Sequence, residues 1–241
     1  MQKHKANKQV IYGKHPVLSA ITNSQRKIYR FFTTEKYDFD KYSKSISSQL
    51  LSNSEISKLL PEGAVHGGYA LECSLPKTYS VNEFVEELNS EICTIVALDQ
   101  VTDPHNIGAI IRSAVAFNVN AILITESNSN YESPIVAKSA SGALESIKII
   151  EEINLSRSLN FLKDKGFWCI GLDGEAKKDL TDLPKFEKKV ILLGAEGKGL
   201  RRLSKENCDE LAKISINSNI ESLNVSNAAA ITFYELNKNS N

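Results

Sequence analysis

From Cys93 onward the chain alternates short apolar runs with helix-like segments, and this alternation constrains the fold more than any other feature. CTIVAL at 93–98 is apolar and β-rich, fit for a buried strand. NIGAIIRSAVAF follows, with Ile107, Ile110, Ile111, Ala114 and Val115 at helical spacing. AILIT at 121–125 predicts a second buried strand, and Phe167–Leu172, Val190–Leu193 and Lys213–Ile216 predict three more. Helices are predicted over Pro134–Ser141, Leu155–Lys165, Gly199–Asn207 and Asn224–Leu236. Strands alternating with helices imply an α/β fold with a parallel sheet covered on both faces.

The chain ahead of Cys93 is organised differently. Residues 1–9 read as a Lys-rich tail and 10–76 as a small mixed domain. Within that domain a helix is predicted near His15–Thr22, a strand at Lys27–Thr33 and a helix around Ile46–Leu60. Residues 77–92 read as a linker with a short acidic helix near Glu83–Asn89, and 93–241 as the α/β domain. Charge follows the same division. The total is balanced, 29 Lys+Arg against 29 Asp+Glu, yet residues 1–60 hold 11 basic against 4 acidic and the remainder 18 against 25. A basic front part suits a nucleic-acid partner, with Lys14, Arg26, Lys27 and Arg30 as candidates to follow a phosphate backbone. His66-Gly67-Gly68 reads either as a nucleic-acid-contact loop or as a plain turn.

Other classes are disfavoured. No apolar run approaches bilayer-spanning length, and the N-terminus lacks the apolar core of a signal peptide, so a cytoplasmic protein with no membrane association is expected. Cys73, Cys93, Cys169 and Cys208 are widely separated, without C-x-x-C or histidine spacing, so reduced buried thiols and no metal are expected.

Three loops at predicted strand ends gather the unusual residues. LDQVTDPHNIGAIIR spans 98–112, where Asp103-Pro104 turns the chain, Asn106 suits an N-cap and Arg112 follows on the helix. GAEGKGL spans 194–200; its glycines permit close backbone approach, but the order matches neither a Walker loop nor G-x-G-x-x-G. The missing dinucleotide fingerprint removes an oxidoreductase reading. ISINSNIESLNVS spans 214–226, a polar loop longer than a helix cap at Ser222 or Asn224 requires.

Together, in this order and spacing, the three loops resemble the motifs of the SpoU (TrmH-type) RNA ribose 2′-O-methyltransferases, a branch of the SPOUT superfamily. The resemblance covers roughly Cys93–Asn237. IYGKHPVLSAI at 11–21 and HGGYALE at 66–72 resemble, more softly, the small L30e-like RNA-binding domain that precedes the catalytic domain in ribosomal-RNA members. The third motif departs from the family's pattern: Ser215 stands for the usual Pro, Ile216 for Met and Ser218 for Gly.

The resemblance implies a C-terminal parallel-sheet α/β knot domain, a trefoil knot being a rare exception to unknotted topology. It implies S-adenosylmethionine as cofactor, held by Leu193, Gly194, Gly199, Ile214, Ile216 and Leu223. It also implies a homodimer through the catalytic domain, with Arg112 reaching the target nucleotide from the partner subunit. Guanidinium stays protonated, so Arg112 is expected to position the ribose and an RNA phosphate that takes the proton. Asn106 would orient Arg112 or the ribose, Glu196 would hold its loop and Asn224, and Ser222 would meet the nucleotide or Glu196. The expected substrate is a guanosine ribose of 23S ribosomal RNA. Transfer RNA, or a non-catalytic role in ribosome assembly, stands as the alternative.

Overall fold

In the computed structural model, which describes residues 8–126 and 130–237, the basic front part is built on a four-stranded sheet. Its elements are β1 (Lys8–Tyr12), α1 (Lys14–Thr22), β2 (Ile28–Thr33), α2 (Lys36–Tyr42), β3 (Ser48–Leu50), α3 (Asn53–Ser57) and β4 (Tyr69–Ser74). The strand order is β1-β4-β2-β3, with β4 antiparallel to both neighbours and β2 parallel to β3. The expected tail is therefore shorter: Lys8 and Gln9 already pair with Ser74 and Cys73. The expected helix at 46–60 divides into β3 and α3. Ser48 and Gln49 pair with β2, and Ser52 starts α3 by a capping box with Glu55.

The second sheet follows with β5 (Thr78–Tyr79), α4 (Val81–Glu86), β6 (Cys93–Asp99), α5 (Pro104–Ala116), β7 (Ala121–Thr125), α6 (Pro134–Ala140), β8 (Lys148–Glu152) and α7 (Leu155–Asp164). Then come β9 (Trp168–Leu172), β10 (Lys178–Asp179), β11 (Lys188–Gly194), α8 (Arg202–Glu206), β12 (Glu210–Lys213) and α9 (Val225–Asn237). The order is β10-β12-β9-β11-β6-β7-β8-β5, and every pairing among the described residues is parallel. The linker thus contributes an edge strand, β5, and a helix capped by Ser80 with Glu83. The strand expected at 213–216 ends at Lys213, and the helix expected from Gly199 starts at Arg202. Asn237 is buried at the end of α9, where it bonds Phe117 O and Thr94 Oγ1. Residues 238–241 lie outside the described residues.

The central strands are apolar on both sides because both faces are covered. Val96, Leu98, Ile191 and Leu193 face α5, α6 and α9, while Ile95, Ala97, Val190 and Leu192 face α4 and α7. The helices α5 and α6 approach closely at Gly108, where a Cβ would lie 2.4 Å from Ser139 Cβ. Between β6 and β11 the connection order reverses, so their C-terminal ends form the crevice in which α/β sheets bind ligands. Among the described residues no helix is long and apolar enough to cross a membrane.

The two sheets share one core. Ile11, Val17, Phe31 and Leu71 of the first belong to the same cluster as Ile107, Val136 and Leu144 of the second. Arg26 seals the junction. Its Nη2 lies 2.8 Å and its Nε 2.9 Å from the Glu145 carboxylate, and it also donates to Ser74 O. The side chains of Arg26 and Glu145 are only 1% and 6% exposed. The expectation that Arg26 follows an RNA backbone is corrected: its guanidinium is spent inside the protein. His66 is likewise buried. Its Nδ1 accepts from Gly68 N and its Nε2 meets Ser57 Oγ, so this segment is a turn, with Gly67 and Gly68 at φ 56 and 82.

Removing one partner of a buried ion pair strands the other charge. Glu145→Ala is expected to lower the unfolding free energy by about 3–5 kcal/mol in urea melts. Asp40→Ala, which breaks the exposed Lys36–Asp40 pair, should cost no more than about 1 kcal/mol.

Candidate active site

The first loop leaves β6 at Asp99 and turns through Gln100, held at φ 64. Asp103, not Asn106, caps α5: its Oδ1 accepts from His105 N at 3.1 Å, and Pro104 occupies the first turn. Asn106 therefore lies within the first turn of the helix, the third residue of α5, and its side-chain amide is left to bond elsewhere. The second loop leaves β11 at Gly194, pairs Ala195 with Gly199 and presents Glu196. Gly194 is required here, since a Cβ would lie 2.1 Å from Gly199 C. The third loop delivers Asn224, whose Oδ1 accepts from Ser226 N at 2.9 Å and caps α9.

These three side chains meet. Asn224 Nδ2 donates to Glu196 Oε1 at 2.7 Å and to Asn106 Oδ1 at 3.0 Å, and Asn106 Nδ2 reaches Glu196 Oε2 at 3.4 Å. A carboxylate held between two amides has a fixed direction, which is what a positioning group needs. Glu196 thus holds Asn224. Arg112 is exposed, about 9 Å further along α5 at 1.5 Å per residue, and bonds neither Asn106 nor any other described residue. Ser222 is exposed and makes no hydrogen bond to Glu196.

The residues expected to hold the cofactor lie on β11, on the loop that follows it and on the third loop. The β9–β11 ladder stops at Gly171 and Leu192, while the β6 ladder continues to Gly194 and Asp99. Leu193 and Gly194 thus extend past β9. The Leu193 side chain is in the core, so only its backbone is left to face a ligand. The loop at 214–224 starts beyond β12 and ends at Asn224 beside Glu196, and so spans the ends of β9 and β11. Ile214 and Leu223 are half-buried and Ile216 is 37% exposed. Gly199 adopts φ 62. In the front part, Lys14, Lys27 and Arg30 are exposed. Lys27 lies over the Tyr29 ring, and Arg30 pairs with Glu72 at 2.6 Å.

Two anchors were not foreseen. Asp99 lies in the first motif, and no local pattern sets it apart; its carboxylate is buried and bonds Arg201. Asp179 holds the start of the third loop, accepting from Ser215 N and Ser215 Oγ as well as from Thr181. The Ser215 hydroxyl, followed by the Thr181 amide and hydroxyl, holds the Asp179 carboxyl down at about 2. A proline at position 215 has neither donor, so the departure at Ser215 exchanges ring stiffness for a side-chain tether. Nothing in the structure explains Ser218 in place of Gly. The four cysteines are free, and burial pushes the Cys93, Cys169 and Cys208 thiols up to about 12 and the Cys73 thiol to about 11. No group of three or more His, Cys, Asp or Glu among the described residues is placed to hold a metal.

Comparison with known proteins matches residues 93–234 to the SpoU rRNA Methylase family. A Coxiella burnetii protein named 23S rRNA (guanosine-2′-O-)-methyltransferase RlmB is 34% identical over 236 residues, covering 94% of each chain. The solved SpoU methyltransferase AviRb from Streptomyces viridochromogenes, in complex with the cofactor AdoMet, has the same fold. Its TM-score is 0.83 at 17% identity, over 97% of this chain and 91% of its own. The solved structure of the A. aeolicus TrmH/SpoU tRNA modifying enzyme matches with TM-score 0.55 at 25% identity. It covers 60% of this chain and 74% of its own.

Asp179 has a depressed carboxyl, so its tether strengthens the fold above the ordinary value of 3.8 and is lost as the pH falls through about 2. In a Ser215→Ala variant the Asp179 titration should move up toward 3.8, read by carboxyl chemical shift. An unmoved titration means that the hydroxyl is not the tether.

Proposed function

Because the chain belongs to the SpoU rRNA methylase family, we propose that it methylates a ribose 2′-hydroxyl in RNA, a guanosine of 23S ribosomal RNA, using S-adenosylmethionine. The observation that carries this reading is the Asn106–Glu196–Asn224 cluster, which joins the three family motifs at the ends of β6 and β11. Identity of 34% over nearly the full length of a relative named for 23S guanosine supports the substrate. The solved tRNA modifying enzyme covers only 60% of this chain, which disfavours the tRNA reading. The intact cluster disfavours a non-catalytic role.

The residues present fit the cofactor. Backbone of Leu193 and Gly194 extends past β9, and the apolar side chains of Ile216 and Leu223 line the loop that crosses there. Gly199 and Ile214 complete this cradle. When bound, the cofactor supplies an electrophilic methyl group on a sulfonium. The chain's own residues supply position. Glu196 fixes Asn224 and Asn106, whose amides are set to orient the ribose, and Ser222 is exposed beside them to meet the nucleotide. Arg112 stays charged. It holds the RNA phosphate, and the 2′-hydroxyl proton passes to that phosphate.

Arg112 stands clear of the cluster in its own chain, which supports its acting in the site of a second copy. The exposed Ile231 and Tyr234 on α9, beside α5, offer an apolar face for such a homodimer. The segment threading from β12 to α9 is read as the trefoil knot. Residues 10–76 are read as the L30e-like domain, with Lys14, Lys27 and Arg30 on RNA, and 93–241 as the catalytic domain of a cytoplasmic enzyme.

Arg112→Ala is expected to cut methyl transfer by about 10²–10³-fold while calorimetric binding of S-adenosylmethionine stays within about twofold. Normal turnover by this variant excludes the assigned role. Ribose-methylation mapping of ribosomal and transfer RNA, with and without the gene, should lose one 23S guanosine. Loss of a tRNA site instead selects the tRNA reading, and no loss in either pool selects the non-catalytic one.

A further inference from the structure

Taking a carboxylate out of water is costly even when it is ion-paired, and an apolar residue in its place is often as stable or more so. The Asp99 carboxylate is removed from water in this way, with a side chain 0% exposed at the end of β6. Both of its oxygens are used by one residue: Oδ1 lies 2.6 Å from Arg201 Nε, and Oδ2 accepts from Arg201 N at 3.0 Å. The Arg201 side chain is 48% exposed, so the burden of desolvation falls on the aspartate. Packing alone does not account for a charge in this position.

What the pair accomplishes is geometric. Asp99 faces Gly194 in the β6–β11 ladder, where the Glu196 loop begins. Arg201 is where that loop ends, directly after the buried Leu200. One side chain therefore fastens the far end of the Glu196 loop to the strand that leads, through the strained Gln100, to Asn106. The Asn106–Glu196 bond is already long at 3.4 Å, so a small shift of either loop breaks it.

We propose that Asp99, acting through Arg201, is a positioning residue for methyl transfer: it sets the Glu196 loop against Asn106 and so preorders the cofactor-binding crevice. This rests on the methyltransferase reading above.

The test uses the full chain and S-adenosylmethionine itself. Asp99→Asn is expected to weaken calorimetric cofactor binding and to lower kcat, each by roughly tenfold or more, with KM for RNA unchanged. Arg201→Lys, which keeps the charge and the backbone bond, should recover most of the binding. In a Glu196→Gln background the same Asp99→Asn change should weaken binding by no more than about twofold, because both act on one loop. Amide exchange should quicken at Gly199 and Arg201 and not along β6 and β11. Unchanged cofactor binding, a full further loss in the Glu196→Gln background, or an even loss of protection across both strands overturns the proposal. If Asp99→Asn does not fold, Arg201→Gln takes its place with the same expected outcomes. If the wild-type chain binds no S-adenosylmethionine, the methyltransferase reading fails, and the exchange pattern alone decides whether Asp99 orders the loop.

Discussion

The amide of Asn224 is the contact on which the site depends. It donates at once to Glu196 and to Asn106, from loops far apart in the chain. Only a sheet that brings the ends of β6 and β11 side by side allows this, and the parallel arrangement does so by giving both strands the same direction. The last helix completes the geometry. α9 packs against α5, fixed at its far end by Asn237 on Phe117 and Thr94, and so returns Asn224 to the first motif. Stability of this helix and order in the crevice are therefore one property.

The front part is tied to the same body. A shared core and the buried Arg26–Glu145 pair leave little freedom between the two sheets, so the exposed cations of the front part keep a fixed offset from the crevice. The charge asymmetry along the chain thus has two components. Some basic residues, Lys14 and Lys27 among them, face solvent where a polyanion can reach them. Arg26 does not, because its charge is used to close the interface.

Much of the second sheet was legible. Buried parallel strands produce continuous apolar runs, and CTIVAL and AILIT are such runs; α5 has a clear apolar period. The edge elements were not. β8 reads KIIEE, with only two apolar residues between charges, and the two-residue β5 exists by pairing with it. α2 escaped because its inward residue is Asp38, which is buried by accepting from Tyr69 Oη at 2.6 Å. At 46–60 the apolar residues suggest a helical face, yet β2 recruits Ser48–Leu50 as a strand.

By itself the sequence determined the α/β class and the three loops, because periodicity and motif spacing are local properties of the chain; the Asn106–Glu196–Asn224 group followed from the resemblance of those loops to a family's motifs. The tertiary structure alone decided which charges were spent internally and which remained available. Arg26 meets Glu145 across 119 positions and Arg201 meets Asp99 across 102. No local pattern encodes such pairs: a buried charge must find its partner wherever the fold brings one, and desolvation makes that choice binding.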